Sequence, residues 1–241
     1  KNNGYIEALT RDWQPIADMR LSDKDENGSR TMNTHLHIIE PYTNLYRVAP
    51  SPQLKERLVN LLHIFTDCLL NKQTNHLDLF FNDEWQGRRN IQSFGHDIEA
   101  SWLLHETALV LADKDVLQWI EPVVKNVAVA ADEGLLADGS MIYERWTDTG
   151  KTDRSLQWWV QCENIIGHVN LWQHFGSEDD LDIAARCWNY TKTRLVDQKN
   201  GEWHWSINED GSVNRTDDKA GFWKCPYHNT RMCLEIMERL N

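Results

Sequence analysis

A repeating unit of about 60 to 70 residues constrains the fold of this chain more than any other feature. Each unit begins with a stretch that alternates apolar and polar residues or carries turn signals, as the strands of small hairpins do. A helix that is apolar nearly all round follows, and then a helix with a single apolar stripe. About three and a half units succeed one another. This pattern predicts a curved helical array, because a single helix pair cannot bury its own apolar face.

The predicted elements alternate between hairpins and helices of two kinds. The hairpins are placed at residues 4–13, 76–85, 139–146 and 202–211. The inner helices begin near Asn33, His96, Leu156 and Pro226. The outer helices run through residues 54–69, 116–130 and 181–195. Inner helices that are parallel in a ring place all their N-termini at one rim, so we predict an all-α toroid with a shared site at that rim.

Two histidines stand at the starts of inner helices. His96 and Glu99 are three residues apart, so they project from one helix face. Pro226 suits the first helical position, which places His228 in the first turn of the last helix. The free N–H groups and the dipole of that turn favour the neutral imidazole, which accepts protons. We therefore predict that His96 and His228 act as a pair of bases.

Equivalent positions of the other two repeats also carry candidate residues. Trp159 and Glu163 are four apart and share a face of the third inner helix. His35 and His37 differ by about 200° around the first inner helix, so one of them is structural. A single buried histidine commonly has a structural role, in which its ring forms hydrogen bonds with backbone groups. A buried glutamate is harder to explain without a partner, so one shared site accounts best for the four positions.

The motifs of metal, nucleotide and serine-hydrolase sites are not found. The sequence lacks His-Glu-x-x-His and a second carboxylate set at metal spacing, so no metal site is predicted. Glycine-rich phosphate loops and a Gly-x-Ser-x-Gly elbow are missing too. The five scattered cysteines include no Cys-x-x-Cys pair, which argues against a disulfide framework or a zinc ribbon.

Charge and hydropathy exclude further classes of partner. The formal net charge is −12, and no cluster of Lys and Arg offers a surface for nucleic acid or for an anionic membrane. No apolar run approaches the roughly 18 residues of a membrane span, and the first residues are too polar for a signal peptide. A hydrophobic content of 41% is enough for a real core. The composition predicts a soluble, cytoplasmic protein.

Twelve tryptophans are many for a chain of 241 residues. Those within amphipathic patterns are predicted to lie in the core. Others, including Trp146 and Trp223, fall in segments that are predicted to be loops or hairpins. Flat aromatic rings near a pocket hold the C–H faces of sugars by apolar contact. Trp146 and Trp223 are therefore candidates for contact with a carbohydrate.

Four segments together resemble the N-acylglucosamine 2-epimerase superfamily, and within it the branch that acts on disaccharides. They are residues 32–40 (MNTHLHIIE), 95–99 (GHDIE), 158–163 (WWVQCE) and 223–229 (WKCPYHN). The resemblance implies an (α/α)6 barrel with short β-hairpins and the pocket at the rim. Family members are much longer, so it also implies that residues 1–241 are a single domain, the C-terminal portion of such a barrel, with about seven helices in an incomplete ring.

The resemblance implies epimerisation at C2 of the reducing-end glucose of β-1,4-linked disaccharides, without a cofactor. In the family, the sugar ring opens and one histidine removes the C2 proton to give a cis-enediolate, while the other returns a proton to the opposite face. His96 and His228 match these histidines, and Glu99 orients His96 or holds a hydroxyl. The other implied contacts are Asn33 and His37 to the enediolate oxygen, Trp159 and Glu163 to the reducing sugar, and Trp146, Trp223 and Asp25 to the distal sugar.

Alternatives remain open at this point. Within the superfamily they are an N-acylglucosamine 2-epimerase, with a monosaccharide substrate, and an aldose–ketose isomerase, which returns the proton to C1. An (α/α)-barrel glycoside hydrolase would use two carboxylates, for which Glu99 and Glu163 are candidates. The last alternative is a sugar-binding fragment without activity. The sequence makes no prediction of the oligomeric state.

Overall fold

The computed structural model describes residues 2–22, 26–87 and 91–241, and helices dominate it. The predicted all-α class is confirmed, and each inner helix begins within two residues of its predicted start. Five-residue π-helical turns extend two of the outer helices, at Phe65–Leu69 and Thr191–Leu195. The α-helices of the described residues are α1 (Met32–Val48), α2 (Pro52–Ile64), α3 (Phe94–Leu111), α4 (Lys114–Ala131), α5 (Trp158–Phe175), α6 (Glu178–Tyr190) and α7 (Tyr227–Arg239).

The strands are shorter than the predicted hairpins and pair differently. Strand β1 precedes α1 directly and pairs antiparallel with β2, with Arg30 opposite Phe81. Strand β6 precedes α5 and pairs in the same way with β7, while β4 pairs with β5. Two inner helices thus directly follow a strand whose partner strand belongs to a later repeat. The strands are β1 (Arg30–Thr31), β2 (Phe80–Phe81), β3 (Ile91–Ser93), β4 (Glu144–Trp146), β5 (Thr152–Asp153), β6 (Leu156–Gln157) and β7 (Ser206–Ile207).

The strand prediction for residues 4–13 is wrong. Of these residues, only Leu9 takes part in a β-bridge, to Pro15. Gly4 and Trp13 have φ angles of +79° and +63°, values that a strand does not contain. The alternation of apolar and polar residues there belongs to a turn-rich segment.

The described residues form two compact units. The first comprises residues 1–92 and 103–126, and the second comprises residues 93–102 and 127–241. Helix α3 therefore contributes its N-terminal half to the second unit and its C-terminal half to the first. A single domain over residues 1–241 stays a prediction. None of the helices in the described ranges is long and apolar enough to cross a membrane.

In the first unit, α1 packs against α2. Thr31 caps α1, because its hydroxyl accepts a hydrogen bond from the N–H of Thr34 at 3.0 Å. Ser51 caps α2 in the same manner. The buried face of α1 carries Leu36 and Ile39. This packing fixes the direction in which α1 projects its remaining side chains.

In the second unit, α5 is buried nearly all round and packs against α6 and α7. Two glycines let the start of α3 approach α5 closely. A methyl group at Gly167 would lie 2.4 Å from Ile98 Cγ1, and one at Gly95 would lie 2.7 Å from Val160 Cγ2. Neither site has room for a side chain. The glycines therefore set the spacing between the N-terminal part of α3 and helix α5.

A buried histidine links α5 to two acidic residues. His168 Nδ1 lies 2.7 Å from Asp180 Oδ1, and Nε2 lies 3.4 Å from Asp132 Oδ1. Burial lowers the pKa of His168, but the two carboxylates outweigh it and raise the pKa above its ordinary value. The charged imidazole is thus the form that the folded protein favours.

This link makes the stability of the protein depend on pH. A pKa that is higher in the folded state stabilises the fold fully below the unfolded value of about 6.5, and the stabilisation is lost as the pH rises through the folded pKa. We expect His168→Gln to lower the free energy of unfolding by about 2 kcal/mol at low pH and by less at high pH. Urea unfolding at pH 6 and pH 9 measures this. His174→Gln, an exposed site on the same helix, is the control, and an equal loss at both pH values would contradict the prediction.

Candidate functional site

Five of the predicted site residues meet in the second unit. His96 and Glu99 come from the start of α3, Trp159 and Glu163 from the start of α5, and His228 from the start of α7. The two histidines are partly exposed, whereas both glutamates are buried. Three helices from three different repeats thus contribute to one cluster, as the repeat predicts.

Trp159 lies next to both histidines. The ring centroid of His96 is 4.7 Å from that of Trp159, and the centroid of His228 is 5.6 Å from it. Tyr143 meets the same indole edge-on at 6.1 Å. A methyl group at Gly95 would lie 2.8 Å from the Trp159 ring, so this glycine makes room for the indole. The two imidazoles are therefore held around one aromatic ring.

A buried carboxylate supports His228. Nδ1 of His228 lies 2.7 Å from Oε1 of Glu163, and the indole N–H of Trp102 donates to Oε2 of Glu163 at 3.0 Å. Burial raises the pKa of Glu163, but the charge of Arg231 and the hydrogen bonds from His228 and Arg231 outweigh it and hold the pKa below its ordinary value. An ionised carboxylate only accepts hydrogen bonds, so Nδ1 of His228 carries the hydrogen.

His96 has a different kind of support. Its Nδ1 lies 2.8 Å from the hydroxyl oxygen of Ser93. A hydroxyl can donate or accept, so this contact fixes the ring position without fixing one tautomer. The two histidines are thus unequal: a buried carboxylate orients the ring of His228, whereas a neutral hydroxyl orients that of His96.

Arg231 lies among the acidic groups of the cluster. Its Nη2 is 2.5 Å from Glu99 Oε1 and 2.8 Å from Glu163 Oε1. The guanidinium also stacks on the rings of Trp102 and Tyr227, with Cζ at 5.0 Å and 4.5 Å from their centroids. Arg231 thereby joins α7 to both α3 and α5.

The same groups have the chemistry of metal ligands. Ligand atoms of Glu99, Glu163 and His228 lie within 4.8 Å of one another. The guanidinium of Arg231 already supplies a positive charge to both carboxylates, and His228 directs its Nδ1–H at Glu163. A metal ion would have to replace these bonds. The arrangement favours an ion-pair network over a metal centre.

The predicted site residues of α1 belong to the first unit. Asn33 and His37 are four residues apart, so they share a helix face, and both are partly exposed. Nδ1 of His37 lies 3.9 Å from Oε2 of Glu40. Their predicted contact with a sugar stays a prediction.

His35 is the structural member of the His35–His37 pair, as one of the two had to be. It is fully buried, its Nδ1 lies 2.7 Å from the carbonyl oxygen of Thr31, and its Nε2 accepts a hydrogen bond from the N–H of Tyr5 at 3.0 Å. A carbonyl only accepts, so Nδ1 donates to it. Burial lowers the pKa of His35, which keeps the ring neutral for both bonds.

The residues predicted to contact a distal sugar lie on separate segments. Trp146 ends β4, and the ammonium of Lys151 lies 4.7 Å from its ring centroid. Trp223 is 47% exposed and meets the edge of Phe222, with centroids 4.9 Å apart. Asp25 lies outside the described residues. The roles of these three residues stay predictions.

A cleft of about 550 Å³ lies in the first unit. Tyr5, Tyr42, Arg57 and Asn60 are among its lining residues. None of the predicted site residues lines it. Burial, followed by the contact with Tyr42, raises the pKa of Tyr5 to about 12, so the phenol stays protonated. The histidine cluster, not this cleft, carries the candidate chemistry.

Three residues of the cluster were missed by the sequence prediction: Ser93, Trp102 and Arg231. Each is three residues away from a residue that was predicted, namely His96, Glu99 and His228 respectively. Side chains three apart on a helix share a face, so this spacing was the available signal for the last two. Ser93 lies just before α3, where a serine commonly caps a helix and therefore attracts no functional interpretation.

The fold is that of a known family of carbohydrate epimerases. Residues 5–231 match the model of the N-acylglucosamine 2-epimerase (GlcNAc 2-epimerase) family, and the chain belongs to this family. Among similar proteins, cellobiose 2-epimerase of Bacteroides fragilis is 57% identical over 98% of this chain and 60% of its own length. Cellobiose 2-epimerase of Ruminococcus albus is 35% identical over the same shares. The chain spans about 60% of the length of these curated relatives.

Solved structures agree with this assignment. The cellobiose 2-epimerase of Spirochaeta thermophila has a TM-score of 0.87 at 38% identity, covering 100% of this chain and 60% of its own. That of Bacillus thermoamylovorans has a TM-score of 0.86 at 40% identity, covering 95% and 58%. A D-mannose isomerase, at 19% identity and a TM-score of 0.74, shares the fold. The family and the (α/α)-barrel class that the sequence predicts are confirmed.

Proposed function

We propose that the protein epimerises C2 of the reducing-end glucose in β-1,4-linked disaccharides such as cellobiose. The observation that carries the proposal is the pair of partly exposed imidazoles, His96 and His228, held around the indole of Trp159. Similar proteins are named cellobiose 2-epimerase, which supports a disaccharide as the substrate.

The proposed reaction is proton transfer on an open-chain sugar. After ring opening, one imidazole takes the C2 proton, whose acidity comes from the neighbouring carbonyl, and a cis-enediolate forms. The intermediate rotates about its C2–C3 bond, and the other imidazole, as imidazolium, returns a proton to the opposite face of C2. Proton exchange with water then restores the first charge states. Imidazole suits both steps because its pKa lies near the working pH.

The carboxylate behind His228 orients this residue for proton abstraction. Nδ1 of His228 donates to Glu163, so Nε2 carries the lone pair. The same carboxylate holds the ring and its tautomer in place, as the aspartate of a catalytic triad does for its histidine. We assign ring opening to His228 as well.

The buried glutamates have a supporting role in this proposal. Both oxygens of Glu163 accept bonds from the protein, and its side chain is fully buried. This geometry favours Glu163 as a residue that positions His228 over the predicted direct contact with the sugar. Glu99 is buried too and bonds to Arg231. Trp159 remains the proposed wall for the reducing sugar.

Five further residues keep the contacts that the resemblance implies. The proposed reaction needs no cofactor, because the substrate's own carbonyl acidifies the proton. A cytoplasmic location rests on the composition of the chain. We propose that Asn33 and His37 bind the enediolate oxygen, and that Trp146, Trp223 and Asp25 bind the distal sugar.

A glycoside hydrolase is the less favoured alternative. Such an enzyme needs one carboxylic acid to protonate the leaving group and one carboxylate to attack or to activate water. Here Glu99 and Glu163 share one guanidinium nitrogen of Arg231. Both carboxylates are therefore engaged by Arg231, which fits the role of ion-pair partners.

Incubation with cellobiose in deuterated water tests the proposal. We expect glucosyl-mannose that carries deuterium at C2, detected by ¹H NMR and mass spectrometry. A ketose product would indicate an aldose–ketose isomerase, and free glucose a hydrolase. N-acetylglucosamine as a parallel substrate tests the other branch of the family. Unchanged cellobiose without C2 exchange would contradict the proposed function.

A further inference from the structure

Arg231 has no assigned role in the proposed reaction, yet it bonds to the residue that holds His228. We propose that Arg231 is a positioning residue that, through Glu163, holds His228 in the tautomer with its hydrogen on Nδ1. This inference rests on the proposed function for its catalytic meaning. The tautomer itself can be measured without any substrate.

A continuous chain of bonds joins the two residues. Nη2 of Arg231 donates to Oε1 of Glu163 at 2.8 Å, and the same oxygen accepts from Nδ1 of His228 at 2.7 Å. The side chain of Glu163 is 0% exposed and that of Arg231 is 10% exposed. At this burial, water screens the three groups weakly, so each one responds to the charge of the next.

The charge of Arg231 decides which form Glu163 adopts. A carboxyl group buried without a cation takes up a proton, because burial penalises the charged form. A protonated Glu163 could donate to Nδ1 of His228, and the hydrogen of the imidazole would then move to Nε2. That tautomer has no lone pair facing away from Glu163 and cannot act as the base. The charge of Arg231 thus keeps His228 in the tautomer that can act as the base.

Arg231 is itself held rigidly. Its guanidinium lies between the rings of Trp102 and Tyr227, and its Nη2 also bonds to Glu99 at 2.5 Å. The planar guanidinium can stack and bond to two carboxylates at once. Its position therefore does not depend on Glu163 alone.

Other titratable groups also surround His228. On α5, Glu163 bonds to His228, and on α7, Tyr227 meets the ring edge-on at 4.7 Å. On α3, His96 contacts the same indole of Trp159 as His228, and Glu99 bonds to Arg231. Arg231 is the cation bonded to Glu163 within the described part of the chain. The charge that sets the state of Glu163 is therefore assigned to Arg231.

A spectroscopic measurement tests the proposal. In protein labelled with ¹⁵N-histidine, the ¹⁵N shifts of the His228 ring report the tautomer, and the spectrum of His228→Asn identifies its signals among the ten histidines. We expect the Nδ1–H tautomer in the unmodified protein at pH 8. In Arg231→Met we expect loss of this single state, with the Nε2–H tautomer well populated.

Two further variants separate charge from structure. Arg239→Met is the matched control, because Arg239 is also on α7 and also stacks on Trp102, at 5.9 Å, but forms its ion pair with Glu235. We expect its His228 signals to be unchanged. Arg231→Lys keeps the charge, so we expect the Nδ1–H tautomer to be kept. A His228 that stays in the Nδ1–H form in Arg231→Met, or loses it in Arg231→Lys, overturns the proposal.

The pH profile supplies the catalytic readout. In Arg231→Met, Glu163 takes up its proton at higher pH, so we expect the acid limb of kcat to move up by on the order of one pH unit. Arg239→Met should leave the limb in place. If the unmodified protein shows no turnover, the proposed function is contradicted. The ¹⁵N result would still decide the role of Arg231.

Discussion

Replacement of either His96 or His228 by asparagine is expected to abolish epimerisation while leaving exchange of the C2 proton with solvent on one face. General acid–base groups contribute about 10²- to 10⁴-fold, so we expect a loss of this size in the formation of the second epimer. The imidazole that remains can still remove the C2 proton of the open-chain sugar and return it from the same side. Deuterium should therefore enter without inversion. Exchange should be slower in His228→Asn, because this variant also loses the group assigned to ring opening.

The two variants are expected to differ in the epimer that they exchange. If the histidines act from opposite faces, one variant labels the glucose form at C2 and the other labels the mannose form. ²H incorporation into cellobiose and into glucosyl-mannose, measured separately, gives this result. His174→Asn, at the exposed C-terminal end of α5, is the control and should match the unmodified protein. Full epimerisation by either site variant would remove that histidine from the mechanism.

Replacement of Glu163 by leucine is expected to give the largest loss of stability. The change leaves Arg231 with one of its two carboxylates and removes the partner of His228. Removing one partner of a buried ion pair typically costs about 3–5 kcal/mol, and the contact that Arg231 keeps with Glu99 places the expected loss at the lower end of this range. Urea unfolding followed by circular dichroism measures the free energy of unfolding.

Glu235→Leu is the matched control for this measurement. Glu235 pairs with Arg239 at 3.0 Å within α7, nearer the surface, so its loss should change the stability by about 1 kcal/mol or less. Glu163→Gln, which keeps the shape but not the charge, should fall between the two. A loss in Glu163→Leu no larger than in Glu235→Leu would show that the buried pair contributes little.

The helices of this chain were predictable because each one buries a face of its own. Helices α3 and α5 are apolar nearly all round, and that pattern located their starts within two residues. The strands were not predictable to the same degree. Two-residue strands such as β1 and β6 carry no periodic signal, and their partners are set by the packing of neighbouring repeats. Residues 4–13 alternate between apolar and polar, yet among them only Leu9 forms a β-bridge, so alternation alone does not identify a strand.

The candidate site was predictable in its members and less so in their contacts. The repeat placed His96, Glu163 and His228 at equivalent helix starts, and the structure brings them together. Spacing along one helix cannot say which side chain of another helix will face it. Glu163 was therefore assigned to the sugar, whereas it lies behind His228, and Arg231 was overlooked as an ordinary polar residue of an amphipathic helix.

Helix α7 carries both His228 and Arg231, and their partners are distant along the chain. Glu163 is 65 residues from His228, and Glu99 is 132 residues from Arg231. Contacts between residues so far apart in the sequence carry a large loop-closure entropy cost. They also require α3 and α5 to be in place. The site is therefore complete only when α7 is packed against α5. A transient release of that one helix would switch the chemistry off while the rest of the molecule stayed folded.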